Sequence, residues 1–227
     1  MKKTIRNIRR LIRPPCQLNH SFSMEGEDEI LRHVFINKTT PGFYVDVGAH
    51  HPSRFSNTYK FYQEGWRGIN IDPIPGVMES FAKIRPRDIN LEVAIAGESG
   101  SLTYYMFNDS ALNTLDPLVA KKHDGPNGYN IIKTKEIRTR PLGDVLSEYM
   151  PAGQIIDFLT VDVEGMDMEV LRSNDWSRFK PEVVLAEDLN ARSIGQAMES
   201  PVVHYLSTLG YEFFAKTIVT MFFRRLH

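Results

Sequence analysis

Short apolar runs alternate along the chain with segments whose apolar residues recur at helical spacing. Ile30, Leu31, Val34 and Phe35 share one helical face. Ser23 stands in the capping position, and Glu25, Glu27 and Asp28 suit the positive end of the helix dipole. The run 43–47 predicts a first strand. A helix opening at Ser56-Asn57 and stopping at Gly65 leads to a second strand over 68–71. Another helix starts near Pro75, carries Val77, Phe81 and Ile84, and ends at Pro86. A third strand is expected over 91–95, and β-forming residues predict an extended strand over 101–107. The polar stretch 108–135, with Pro117, Gly125, Pro126 and Gly128, is too long for an ordinary connection and reads as a lid. A short helix over 141–149, strands over 155–161 and 182–186, a helix through Val170 and Leu171, and a helix over 201–209 capped by Gly210 complete the alternation. The chain closes with a hairpin of 211–215 and 218–223, turning at Lys216-Thr217. This order predicts an α/β fold: a doubly wound, mostly parallel sheet with helices on both faces and a C-terminal antiparallel hairpin. One domain is expected over 21–227, after a basic tail over 1–20.

Several of these strands end on acids: Asp46, Asp72, Asp162 with Glu164, and Glu187 with Asp188. In an open α/β sheet the carboxyl edge of the strands holds the ligand crevice. One such acid is commonly a helix cap, whereas acids at four strand ends mark a site. An apolar strand closing on Asp46-Val47-Gly48, then a helix and a strand closing on Asp72, is how such folds bind a nucleoside. The glycine allows close approach, and the second acid receives ribose hydroxyls. The pattern Gly-x-Gly-x-x-Gly is missing, because Ala49, His50, His51, Pro52 and Ser53 follow Gly48. That argues against a pyrophosphate cradle and a nicotinamide-dependent oxidoreductase. An adenosine ligand without phosphates fits better, and S-adenosylmethionine is the common one.

Composition narrows the classes further. With Lys+Arg 27 against Asp+Glu 28, the net charge of −1 gives no reason to expect nucleic acid as partner. The single Cys16 excludes an internal disulfide and a cysteine-rich metal site, in keeping with a cytoplasmic protein. The first 13 residues carry six basic side chains and no acid. They are read as a solvated terminus, with weak contact to an anionic membrane surface as the alternative. They lack the apolar core and small-residue cleavage site of a secretory signal.

The segments FYVDVGAHHPSRFSNTYKFYQEGWRGINIDP, NLEVAIAGESGSLTYY, NDSALNT and IDFLTVDVEGMDMEVLRSNDW resemble the FkbM family of S-adenosylmethionine-dependent methyltransferases. SFSMEGEDEIL and GYEFFAKTIVTMFFRR are similar to that family's first helix and last hairpin. The resemblance implies a class I, Rossmann-like methyltransferase acting on hydroxyls of sugars, glycans or secondary metabolites. His50 departs from the asparagine more usual there. By matching position, Asp46, Gly48 and Ala49 would shape the turn under the methionine part of the cofactor, with His50 and Asn57 beside it. Asp72 would bind the ribose, Pro73 and Ile74 would flank the adenine, and Val93, Ala94 and Ile95 would lie beside the base. Asp162, Glu164 and Gly165 would line the methyl-transfer edge.

A neutral hydroxyl must lose a proton on methylation, so a general base is expected. Asp162 or Glu164 is the leading candidate, with His50 or His51 assisting. Asn108, Ser110 and Asn113 are candidates for acceptor binding, because sugars need convergent hydrogen-bonding groups. No metal is expected in the first instance. The alternative is Mg²⁺ held by Asp162, Asp188 and Asn190 with Glu187, a set resembling the oxygen ligands of some O-methyltransferases. A cofactor-binding scaffold without catalysis is the competing function.

Overall fold

In a computed structural model that describes residues 19–226, the apolar runs become the strands of one large sheet. The expectations for the basic segment and for Cys16 lie outside the described residues. β1 (Phe43–Val47), β2 (Arg67–Ile71), β3 (Ile89–Leu91), β7 (Phe158–Val161) and β8 (Val183–Glu187) run parallel. β10 (Thr220–Arg225) joins β8 antiparallel and pairs with β9 (Tyr211–Lys216) at the edge. The order is β3-β2-β1-β7-β8-β10-β9. All five residues of β1 are buried because helices cover both faces. From β1 the chain proceeds outward to β2 and β3, then returns to start β7 on the other side. The winding therefore reverses between β1 and β7, where such a sheet opens its ligand crevice.

Side-chain alternation splits the core in two. Val45, Val47, Leu159, Val161 and Ala186 pack with α5 (Leu142–Tyr149), α6 (Asp167–Arg172) and α8 (Pro201–Thr208). Tyr44, Phe158, Leu185 and Phe222 face the other way. They meet Leu31 of α1 (Glu27–Val34), Phe61 of α2 (Tyr59–Gln63), and Trp66. On that second side Arg85, at the end of α3 (Val77–Ile84), is fully buried. Its Nε donates to Asp88 at 2.8 Å, and its Nη2 donates to the Tyr44 hydroxyl at 2.7 Å. Asp88 also accepts from the Tyr44 hydroxyl and from the Gly68 amide. Replacing Arg85 with alanine strands the Asp88 charge. Urea denaturation should show a loss of about 3–5 kcal/mol, and a loss below 1 kcal/mol would contradict this role.

A smaller sheet holds β4 (Ala94–Ile95), β6 (Ile131–Arg140) and β5 (Gly100–Phe107), in the order β4-β6-β5. It corrects two expectations. The strand expected over 91–95 is two pieces: Leu91 ends β3, and the chain leaves the large sheet to pair Ala94 with Thr139. The stretch 108–135 is not all connection, since residues 131–135 begin β6, which pairs antiparallel with β5. β6 is mostly exposed and reads Ile-Ile-Lys-Thr-Lys-Glu-Ile-Arg-Thr-Arg, so its apolar signal is weak. Within the same stretch lies α4 (Pro117–His123), capped by Asp116, which accepts from the Leu118 and Val119 amides.

Smaller differences concern element ends. α1 starts after Gly26 rather than after Ser23; Ser23 Oγ instead accepts from the Asp28 amide at 3.2 Å. A Ser193/Gln196 capping box starts the unexpected helix α7 (Ile194–Met198). The closing hairpin turns at 217–219.

Candidate active site

The loops after β1 and β7 press together at the reversal. The Asp162 amide donates to the Val47 carbonyl at 2.9 Å, and the Gly48 and Ala49 amides donate to the Ile71 carbonyl. Gly48 has φ +86, and a Cβ there would lie 1.7 Å from the Asp162 carbonyl oxygen. Only glycine fits this crossing. His50 follows at φ 50, a left-handed conformation in which histidine and asparagine are both enriched. That accounts for the exchange noted in the sequence. Its amide donates to Asp72 Oδ2 at 2.8 Å, and its Nε2 lies 3.0 Å from Ser110 Oγ. Asp72 Oδ1 accepts from the Ile74 amide at 2.8 Å, so the strand-end acid is fixed by two backbone donors.

The β7 loop is also left-handed, at Glu164 (φ 51) and Gly165 (φ 101). The segment after β5 lies against it. Thr114 Oγ1 donates to the Glu164 carbonyl at 2.8 Å, and Val119 of α4 would meet a Cβ at Gly165 at 2.7 Å.

These loops enclose a cavity of about 1000 Å³, counting its open mouth. Pro73, Ile74, Val93, Ala94 and Ile95 make an apolar wall beside Asp72. Glu27, Asp162, Glu164 and Glu187 form the opposite, acidic end. No lysine or arginine lines this cavity among the described residues. Burial pushes the Asp72 carboxyl up to about 6. Burial, then the nearby Asp46, Glu27 and Asp72, pushes Asp162 up to about 7. Glu164 rises to about 9 through burial and Asp162. Burial and Asp162 raise Asp167 and Glu187 well above the usual carboxylate range. Burial, followed by Arg54, lowers His50.

These acids keep their protons to higher pH in the folded chain than in the unfolded one. The folded state therefore binds more protons in the window from about pH 4 to about 9, and stability falls as pH rises through it. The unfolding temperature of the ligand-free protein should drop by several degrees between about pH 5 and about pH 8. A flat or rising profile would contradict the acid cluster.

The cavity brings together Gly48, His50, Asn57, Asp72, Pro73, Ala94, Ser110, Asn113, Asp162 and Glu164. Other candidates stand elsewhere. Asp46 is buried behind the β1 loop, accepting from Thr58 Oγ1 at 2.6 Å, and Ala49 is held by its backbone. His51 is not among the lining residues; its Nδ1 accepts from the Ser53 and Arg54 amides, which makes it a turn cap. Asn108 ties the β5–β6 connection, donating to the Gly128 carbonyl and accepting from the Asn130 amide. Asp188 and Asn190 line a neighbouring cavity, away from Asp162. Asp188 accepts from Ser200 Oγ at 2.7 Å and from the Asn190 amide. The magnesium set is thus divided, and among the described residues no three of His, Cys, Asp and Glu converge as a metal site.

Sequence reasoning missed Glu27 and Thr220 as lining residues. Thr220 stands opposite Glu187 across β10 and β8, a pairing with no local signal. Glu27 lies within the SFSMEGEDEIL segment, where its place at the start of α1 signals only a favourable interaction with the helix dipole.

A reversal-point cavity lined by strand-end acids defines a Rossmann-like ligand site. The profile of the methyltransferase FkbM domain matches residues 46–213, most of the chain, and the chain belongs to this family of methyltransferases. Among solved structures, the crystal structure of the small RNA methyltransferase HEN1 is similar at 12% identity with a TM-score of 0.37, over 93% of this chain. The chain spans only 27% of that protein's length. No curated protein matches. Among the described residues no helix is long and apolar enough to cross a membrane.

Proposed function

We propose that the chain is an S-adenosylmethionine-dependent O-methyltransferase whose acceptor is a hydroxyl of a sugar, glycan or secondary metabolite. The observation that carries the reading is the cavity at the winding reversal, which sets the Asp72 carboxylate beside an apolar wall and brings Asp162 and Glu164 to its other end. The residues present fit the cofactor that the family implies. Each Asp72 oxygen accepts one backbone amide and retains a lone pair for a ribose hydroxyl. The apolar wall of Pro73, Ile74, Val93, Ala94 and Ile95 would take the adenine, and the anionic far end suits a cationic centre. When bound, S-adenosylmethionine supplies a methyl group on a sulfonium.

The chain's own contribution would be alignment, shielding and proton removal. The Gly48–His50 loop and Asn57 would fix the donor. The 108–130 part of the expected lid, anchored by Thr114 on the β7 loop, would exclude water. Asp162 would take the proton from the acceptor hydroxyl, since a base near neutral pKa is the most effective at neutral pH. Glu164, raised to about 9, would keep its proton and donate a hydrogen bond. Ser110 and Asn113 line the wall with groups suited to a polyhydroxylated acceptor.

Incubation with isotope-labelled S-adenosylmethionine and a panel of hydroxylated acceptors tests this reading by mass and magnetic resonance. The expected product carries the label as an O-methyl ether. A label found only on nitrogen or carbon would overturn the O-directed assignment.

A further inference from the structure

We infer that Phe55 is the platform on which the acceptor lies, and that the acceptor's reacting unit is a neutral pyranose stacking its C–H face there. This rests on the methyltransferase reading above and narrows its substrate class. Phe55 has φ 55, a left-handed conformation that bulky residues seldom adopt. Glycine or asparagine would make the same turn with far less strain. Nor does the ring serve folding through burial, since it is 42% exposed and belongs to neither half of the core. A side chain that suits neither its backbone nor the core points to a role outside folding.

The surrounding turn holds this conformation from both sides. Before it, the Arg54 amide donates to His51 Nδ1 at 2.9 Å. After it, the Ser56 amide donates to the Phe22 carbonyl at 2.9 Å, and Asn57 Nδ2 donates to Thr160 Oγ1 at 3.0 Å. Thr160 stands two residues before Asp162, so this tie carries the turn to the methyl-transfer end of the cavity. Met24, two residues beyond Phe22 and three before Glu27, lines the cavity there and is 59% exposed. Among the described residues, only Met24 and Phe55 are large apolar side chains that line the cavity and remain exposed. The Arg54 guanidinium lies over the Phe55 ring, 4.2 Å from its centre, and Arg54 does not line the cavity. One face of the ring is covered from behind, which leaves the other to the cavity.

An aromatic face carries the negative part of the ring quadrupole and attracts polarised C–H groups. A pyranose presents several of these on one face and hydroxyls around its rim. Phe55 and Met24 would take the face, with Asn57 and Ser110 at hand for the rim. Glu164, raised to about 9, keeps its proton at neutral pH and can both donate to a hydroxyl and accept from one. With no lysine or arginine on the lining among the described residues, a phosphorylated or carboxylated sugar would find no partner for its charge. A planar aromatic acceptor would use the ring but leave the polar groups unpaired.

Saturation-transfer magnetic resonance on the full chain loaded with S-adenosylhomocysteine tests the inference. The probes are the methyl β-pyranosides of glucose, galactose and mannose, with galactitol as the open-chain polyol and catechol as the planar aromatic. Irradiating the protein's aromatic protons should saturate the ring C–H protons of at least one pyranoside, which should also bind more tightly than galactitol or catechol. Phe55→Asn, which relieves the backbone and removes the ring, should weaken that pyranoside about three- to tenfold. The same variant should bind S-adenosylhomocysteine unchanged and unfold at no lower temperature than the wild type. Phe55→Tyr should retain the pyranoside. No transfer to any pyranoside, tighter binding of catechol or galactitol, or an asparagine variant that binds the pyranoside equally well would overturn the inference. So would a lower unfolding temperature of the asparagine variant, which would make the ring a folding element. The preceding S-adenosylhomocysteine titration separates the two levels. If the nucleoside fails to bind, the methyltransferase reading of this cavity fails and takes the platform with it; if it binds and no pyranoside stacks, only the platform fails.

Discussion

Replacing Gly48 with alanine is expected to abolish cofactor binding and to lower the folding free energy by at least about 3 kcal/mol. Two effects add at this position. The backbone is at φ +86, which costs about 1–2 kcal/mol for a residue with a Cβ. That Cβ would also sit 1.7 Å from the Asp162 carbonyl oxygen and 2.7 Å from its carbon, both backbone atoms that cannot swing aside. The β1 and β7 loops would have to part, carrying His50 away from Asp72 and Asp162 away from the cavity. Gly76 provides the control. Its φ is +78, but nothing lies within 4 Å of a Cβ there, so alanine should cost only the left-handed strain. Urea denaturation and nucleoside titration of both variants check the contrast. Equal stability losses at the two positions would refute the close approach of the loops.

Asp162→Asn should reduce turnover by about 10²- to 10⁴-fold, the usual worth of a general base, while leaving S-adenosylhomocysteine affinity nearly unchanged. The pH dependence distinguishes a base from a merely structural carboxyl. Burial and neighbouring acids push Asp162 up to about 7, so in the wild type kcat/KM should climb as the pH rises through that value and the proton is lost. In the asparagine variant that limb should vanish from the residual activity. A variant that retained full turnover, or the same pH limb, would remove Asp162 from the mechanism.

How far the molecule was legible beforehand depended on where each signal resides. β1, β7 and β8 are buried on both faces and read as dense apolar runs, β2 supplies Ile69 and Ile71, and an acid lies at or beside the C-terminal end of each. The sheet and its acid-tipped edge follow from local pattern alone. β6 is a mostly exposed strand with alternating lysine, threonine and arginine, and it passed for loop. The break between β3 and β4 arises because Ala94 finds its partner in Thr139, far along the chain. In the site, Asp72, Asp162 and Glu164 were readable as strand-end acids. The parts played by His51 and Asn108 were not, since a turn cap and a cavity residue look alike until the turn is seen. Thr220 and Glu27 reach the cavity only through the pairing of β10 with β8 and the packing of α1.

Calorimetric titration of S-adenosylhomocysteine into the wild-type protein and into Asp72→Asn tests the central claim most directly. The wild type should bind saturably in the micromolar range and ignore NAD, and the variant, still folded, should bind about ten- to hundredfold more weakly through loss of charged hydrogen bonds to the ribose. A wild-type protein that takes up no nucleoside, or a variant that binds it equally well, would contradict the assignment of this cavity.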